Sequence, residues 1–139
     1  MAEASTSIEI ALPADEVWQL IGGFGSLPEW LPYIPESELS EGGRVRHLTN
    51  PGGQTIVERL IAFDNAARSY TYAILQAPFP VRDYQSTLKV VERGSHDCRV
   101  EWSGRFVPTS GTDEDASRLF QGIYEDGLKA LANELAKRA

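Results

Sequence analysis

The run TDEDASRLFQGIYEDGLKALANELAKRA, residues 112–139, is one uninterrupted helical pattern. Its apolar positions are Ala116, Leu119, Phe120, Ile123, Tyr124, Gly127, Leu128, Leu131, Ala132 and Leu135. They recur at intervals of three and four, the spacing of a single buried stripe on a helix. Thr112 is placed to cap the helix, with Asp115 three residues on, a capping-box pattern in which Asp replaces the usual Glu. Asp113, Glu114 and Asp115 complement the positive end of the helix dipole, and Lys137 and Arg138 the negative end. The helix is expected to end only with the chain.

Residues 35–110, upstream, read as short strands separated by turns. One long amphipathic helix after many strands predicts an α+β fold, with the helix laid against a curved antiparallel sheet.

The length of 139 residues suits one domain, expected to span 1–139, and is large enough for a real core. A hydrophobic share of 42% beside 24% charged residues is that of a globular protein rather than a disordered one. The net charge of −7 argues against nucleic acid or an anionic membrane as partner, because phosphate binding needs a basic patch. Arg44, Arg46, Arg59 and Arg68 lie scattered among acids. Residues 1–12 lack the pattern of a signal peptide, and no stretch is apolar enough to span a bilayer. The single cysteine, Cys98, cannot form an internal disulfide. These points lead us to expect a cytoplasmic protein, monomeric or homodimeric, with no nucleic-acid or membrane partner.

Ser5 to Leu12 alternates as a half-buried strand. Pro13 ends it, and Ala14 to Phe24 reads as a short helix with Asp15 and Glu16 in its first turn. Pro28, Pro32 and Pro35 exclude a long helix over Ser26–Pro35 but permit one turn, with Ser26 as its cap. Six strands are then expected: Glu36–Ser40, Arg44–Thr49, Gln54–Phe63, Arg68–Leu75, Val81–Glu92 and Cys98–Val107. The loop Asn50-Pro51-Gly52-Gly53 and the turn around Asp64–Ala67 are strong breaks. The predicted order is β-αα-β6-α.

Alternation assigns faces in the last two strands. Tyr84, Ser86, Leu88 and Val90 share one side, as do Cys98, Val100, Trp102, Gly104 and Phe106. Both sets point inward, so the sheet has a dry face that the terminal helix must cover. The helix stripe should meet Tyr84, Ser86, Val100, Trp102 and Phe106. Periodicity leaves Arg44–Thr49 and Gln54–Phe63 undecided. Gly127, on the stripe, reads either as a close helix–sheet contact or as room left for a ligand.

Pro13-Ala14-Asp15-Glu16-Val17-Trp18, Phe24-Gly25…Trp30-Leu31-Pro32, Val57-Glu58-Arg59-Leu60 and Asp83-Tyr84-Gln85-Ser86 occur here in a definite order ahead of the terminal helix. In that order they resemble the polyketide cyclase/dehydrase branch of the START superfamily, related to the birch-pollen allergens. The resemblance covers essentially the whole chain. It implies a helix-grip fold, a seven-stranded sheet wrapped round the long helix with an internal pocket for an apolar small molecule. It also places Arg44, Arg46, Leu48 and Glu58 inward. The same segments are similar to the plant abscisic-acid receptors, whose gate loop matches Asn50–Gln54 and whose latch loop matches Ala77–Val81. In those receptors residues matching Glu58, Tyr84 and Ser86 line the pocket through water. This chain has Leu31 where they carry the lysine that holds the hormone carboxylate, and its gate and latch differ. Hormone reception is therefore not implied.

The expected ligand-binding set is Leu31, Arg46, Leu48, Glu58, Phe79, Val81, Tyr84, Ser86, Trp102, Phe120, Tyr124 and Gly127. A tight hairpin at Asn50–Gly53 would bring Arg46 beside Glu58. That couple could grip a polar ligand head, supply a general base, or close on itself as an ion pair. Glu58 and Tyr84 are the candidate catalytic residues should the protein be an enzyme. Trp30, Tyr33, Phe79 and Trp102 could form an aromatic wall and lid. His47, His96 and Cys98 stand at no metal-binding or nucleophilic spacing, and no phosphate loop or dinucleotide fingerprint is present. No metal or cofactor is expected. The sequence thus favours enclosure of a hydrophobic small molecule. Cyclase-type catalysis and a ligand-gated interaction module remain as alternatives.

Overall fold

Seven antiparallel strands form one sheet in the order β1-β7-β6-β5-β4-β3-β2 in the computed structural model, which describes residues 1–138. The strands are β1 (Ala2–Ile10), β2 (Glu36–Ser40), β3 (Val45–Thr49), β4 (Thr55–Asp64), β5 (Ser69–Gln76), β6 (Val81–Glu92) and β7 (Cys98–Pro108). Helices α1 (Ala14–Ile21) and α2 (Leu27–Trp30) connect β1 to β2, and α3 (Asp113–Arg138) closes the chain. The fold is α+β, a helix grip, in the element order read from the sequence. Whether α3 continues into Ala139 lies outside the described residues.

The α3 cap is the reciprocal pair expected from its sequence. Thr112 Oγ1 accepts from the Asp115 amide at 3.1 Å, and Asp115 Oδ2 accepts from the Thr112 amide at 3.1 Å. The helix lies along β1 and β7, where the Ser5 amide, on the outer edge of β1, donates to Gln121 Oε1 at 3.1 Å. Its buried residues are Ala116, Phe120, Tyr124, Gly127, Leu128, Leu131 and Leu135. Leu119, expected on the stripe, is exposed instead, because the buried arc of α3 is narrower than the sequence pattern.

Along β6 and β7 the inward sets are those read by alternation, with Tyr84, Ser86, Leu88, Val90, Cys98, Val100, Trp102 and Phe106 buried. The sheet curves at register shifts in the β4–β5 ladder, between Val57 and Glu58 and between Leu60 and Ala62. A further shift lies in the β6–β7 ladder between Arg82 and Gln85, beside Asp83 with φ at 52°. Such irregularities bend and twist a strand and let a sheet wrap a helix.

Two local expectations are corrected. Ser26 makes no side-chain cap bond to α2; its hydroxyl donates backward to the Gly23 carbonyl at 2.8 Å. Arg44 is exposed rather than inward, because the turn Glu41–Gly43 carries the chain through left-handed φ values and β3 begins only at Val45.

A candidate ligand cavity

The β3–β4 hairpin fixes one end of the site. Asn50 ties its loop together, accepting from the Gln54 amide through Oδ1 at 2.8 Å and donating its own amide to the Gln54 carbonyl at 3.0 Å. That closure sets the register in which Arg46 stands opposite Glu58. Arg46 Nε donates to Glu58 Oε1 at 2.8 Å, and Nη2 lies 2.7 Å from the same oxygen. Nη1 donates to the Phe24 carbonyl at 3.1 Å and to the Tyr70 hydroxyl at 3.2 Å.

The guanidinium lies 4.1 Å from the centroid of the Phe24 ring, 4.8 Å from that of Tyr72 and 5.6 Å from that of Tyr70. Aromatic faces of this kind offset part of the cost of taking a cation out of water. Burial acts to lower the Arg46 pKa, but Tyr70 and Glu58 outweigh it and hold the group above its ordinary value. Burial pushes the Glu58 pKa up, and Arg46 only partly counters it.

Hydroxyls dominate the other end. The Tyr84 and Tyr124 hydroxyls bond each other between β6 and α3. Trp102 Nε1 is shared between the Tyr72 hydroxyl at 3.2 Å and Ser86 Oγ at 3.1 Å. Ser86 Oγ in turn donates to the Ser103 carbonyl at 2.7 Å. Burial pushes the phenols of Tyr72 and Tyr84 well above 10, and that of Tyr124 up to about 12. All three are therefore neutral over the physiological range.

Two glycines permit this end. A Cβ on Gly104 would lie 2.2 Å from the Tyr124 hydroxyl oxygen, and one on Gly127 would lie 2.5 Å from Trp102 Cζ3. Side chains there would collide with the Tyr124–Trp102 stack, whose ring centroids are 4.9 Å apart. Gly127 thus marks a close helix–sheet contact, and the room it leaves is filled by Trp102.

Between the two ends, α3 stands off the sheet and leaves a cavity of about 380 Å³. This falls within the range of small-molecule sites. Among the expected residues, Leu31, Arg46, Leu48, Glu58, Phe79, Tyr84, Trp102, Phe120 and Tyr124 line it. Val81, Ser86 and Gly127 do not lie on its wall. Ser86 is one layer behind, holding Trp102. Trp30 packs behind Trp102, with centroids 5.9 Å apart, rather than forming a lid. Tyr33, Asn50, Pro51, Ile123 and Asp126 also border the space. Of these Tyr33, Pro51 and Asp126 are exposed and form its rim. Phe79 meets Phe120 edge-on at 5.4 Å.

Sequence reading passed over Leu27, Ile34, Ile56, Tyr72 and Ile74, which also line the space. Tyr72 and Ile74 carried a signal in the alternation of Tyr70, Tyr72 and Ile74 along β5. Arg46, Glu58 and Asp126 are the charged groups on the wall among the described residues. Cys98 is buried away from this wall, and burial pushes its thiol pKa up, against a nucleophilic role. His47 Nε2 lies 2.9 Å from Ser40 Oγ on the exposed face.

The chain matches the family described as polyketide cyclase/dehydrase and lipid transport over residues 1–136. It belongs to that family. A solved structure of the protein XoxI from Bacillus cereus is 59% identical, covering 96% of this chain and 94% of that one at a TM-score of 0.93. A solution structure from Thermobifida fusca is 30% identical over 95% of this chain and 91% of that one, at 0.79. The ZhuI aromatase/cyclase from Streptomyces sp. R1128 is 18% identical and shares the fold, covering 98% of this chain and 92% of that one at 0.76. Among the described residues, no helix is long and apolar enough to cross a membrane.

Proposed function

We propose that this polyketide cyclase/dehydrase family member encloses a hydrophobic small molecule between α3 and the sheet and acts as a binding protein. The supporting observation is the apolar cavity itself, with buried polar groups at its inner ends. Affinity would come from apolar ligand surface removed from water, at about 25 cal/mol per Å² before the costs of association. Orientation would come from Glu58 at one end and the Tyr84–Tyr124 hydroxyls at the other. A single buried cysteine fits a cytoplasmic setting.

Native mass spectrometry of the chain purified from its own host tests this reading. A retained mass of a few hundred daltons, lost on mild denaturation, is the expected result. Apolar small molecules that neither copurify nor raise the melting temperature would overturn it.

Cyclase-type catalysis is favoured by one observation. Glu58 is a buried carboxyl with a raised pKa on a cavity wall, as a proton-transferring group needs to be. Tyr84, with a phenol held neutral and bonded to Tyr124, is poorly placed to act as a base. Under this reading Glu58→Gln abolishes turnover while circular dichroism stays unchanged, whereas a binding protein shows altered affinity alone.

A further inference from the structure

Glu58 is held by one oxygen only. Both Arg46 contacts, from Nε and from Nη2, converge on Oε1. Among the described residues nothing donates to Oε2, and that atom is not among the sealed polar atoms of the interior. The carboxylate therefore keeps one open acceptor on a wall of the cavity.

The charge on that wall is equally one-sided. Arg46 is its cation, already matched by Glu58 and bonded to Phe24 and Tyr70. The remaining charged group is Asp126, at the rim. An anion entering the cavity would find two carboxylates and a guanidinium with no charge to spare, at a dielectric where like charges repel strongly. Displacing Glu58 from Arg46 would strand a buried charge, which costs more than the new contact returns.

From this geometry we infer that the ligand is an uncharged, largely aromatic molecule bearing a hydroxyl that donates to Glu58 Oε2, and that carboxylates are rejected. The inference rests on the cavity being the binding site. It narrows the ligand to phenol- or alcohol-like chemistry, and it assigns Glu58 to specificity whether or not a reaction follows. The aromatic walls at Tyr72, Trp102 and Phe120 favour a flat ring system. A hydroxyl on that ring is the smallest group that satisfies the open oxygen without adding charge.

The test uses the intact chain at neutral pH and three probes of one shape: a naphthol, its methyl ether, and the naphthoate substituted at the same ring position. Calorimetric titration should give saturable binding of the naphthol. The ether and the carboxylate should each bind at least about tenfold more weakly, as befits loss of a hydrogen bond to a charged group or burial of an unpaired anion. Equal binding of naphthol and ether, or tighter binding of naphthoate, would overturn the donor rule and leave the cavity as a binding site. If none of the three binds, the cavity reading falls and the donor rule with it. The double variant Arg46→Met/Glu58→Gln leaves no lone buried charge, and it should lose the preference for naphthol over its ether. Should that variant fail to fold, the probe series on the unaltered chain still decides.

Discussion

The two ends of the cavity solve the same problem, polar groups buried in an aromatic interior, in opposite ways. At the Arg46–Glu58 end a full charge is neutralised by its opposite across one antiparallel pair, and three aromatic rings line the cation. At the Tyr84–Tyr124 end no charge is present, and hydroxyls and an indole N–H satisfy one another. The first arrangement is strong but fails badly when halved. The second is weaker per bond and tolerates loss of a member. The charged end alone leaves one oxygen over, on Glu58.

The largest effect that separates them is expected in alkali. Unfolded tyrosines release their protons near 10, whereas Tyr72 and Tyr84 hold theirs well above that value and Tyr124 to about 12. Above pH 10 the folded state thus binds more protons than the unfolded one, and each rise in pH favours unfolding. The stabilisation is fully present below pH 10 and is lost as pH rises through the folded-state values, about 12 for Tyr124. All three phenols shift in the same direction, so their contributions to this loss add. Chemical denaturation at stepped pH should show a plateau below 10 and a steep fall above it.

Next comes the ion pair. Arg46→Met strands a buried carboxylate and should cost about 3–5 kcal/mol in urea denaturation, while the double variant with Glu58→Gln recovers most of the loss. A single and a double variant of equal stability would show that the pair is not coupled as the geometry requires.

Smaller effects follow at the glycines. Gly104→Ala and Gly127→Ala each force the Tyr124–Trp102 stack to move, at about 1–3 kcal/mol by overpacking. At Gly127 the better helix propensity of alanine offsets about 1 kcal/mol of that. The smallest effect is Tyr84→Phe, about 1 kcal/mol for one hydrogen bond between neutral groups. A loss from Tyr84→Phe as large as that from Arg46→Met would erase the contrast between the two ends.

Much of this arrangement was legible in the chain. The Thr112–Asp115 cap follows from two residue types at fixed spacing, and the dry faces of β6 and β7 from strict alternation. A tight loop at Asn50–Gly53 was enough to bring Arg46 near Glu58. What it could not say was which of their atoms meet, and hence that Oε2 stays open. Other features were hidden for physical reasons. Arg44 turned outward because Glu41, Gly42 and Gly43 adopt positive φ, which shifts where β3 begins. The partner that fills the space above Gly127 depends on how the Trp102 ring is turned, a tertiary outcome with no periodicity. Leu27, at the start of the single turn α2, and Ile34 reach the cavity through the path of the proline-rich connection between β1 and β2 rather than along a long amphipathic element.

The central claim is that the space between α3 and the sheet is where a ligand sits. Isotope-edited NMR of the labelled chain, titrated with the naphthol, tests it most directly. Saturable shifts at the methyl groups of Leu48, Ile56, Ile74 and Ile123, with the outer-face residues Thr87 and Ser103 unmoved, are the predicted result. Shifts confined to the outer face, or non-saturating shifts spread over the surface, would contradict it.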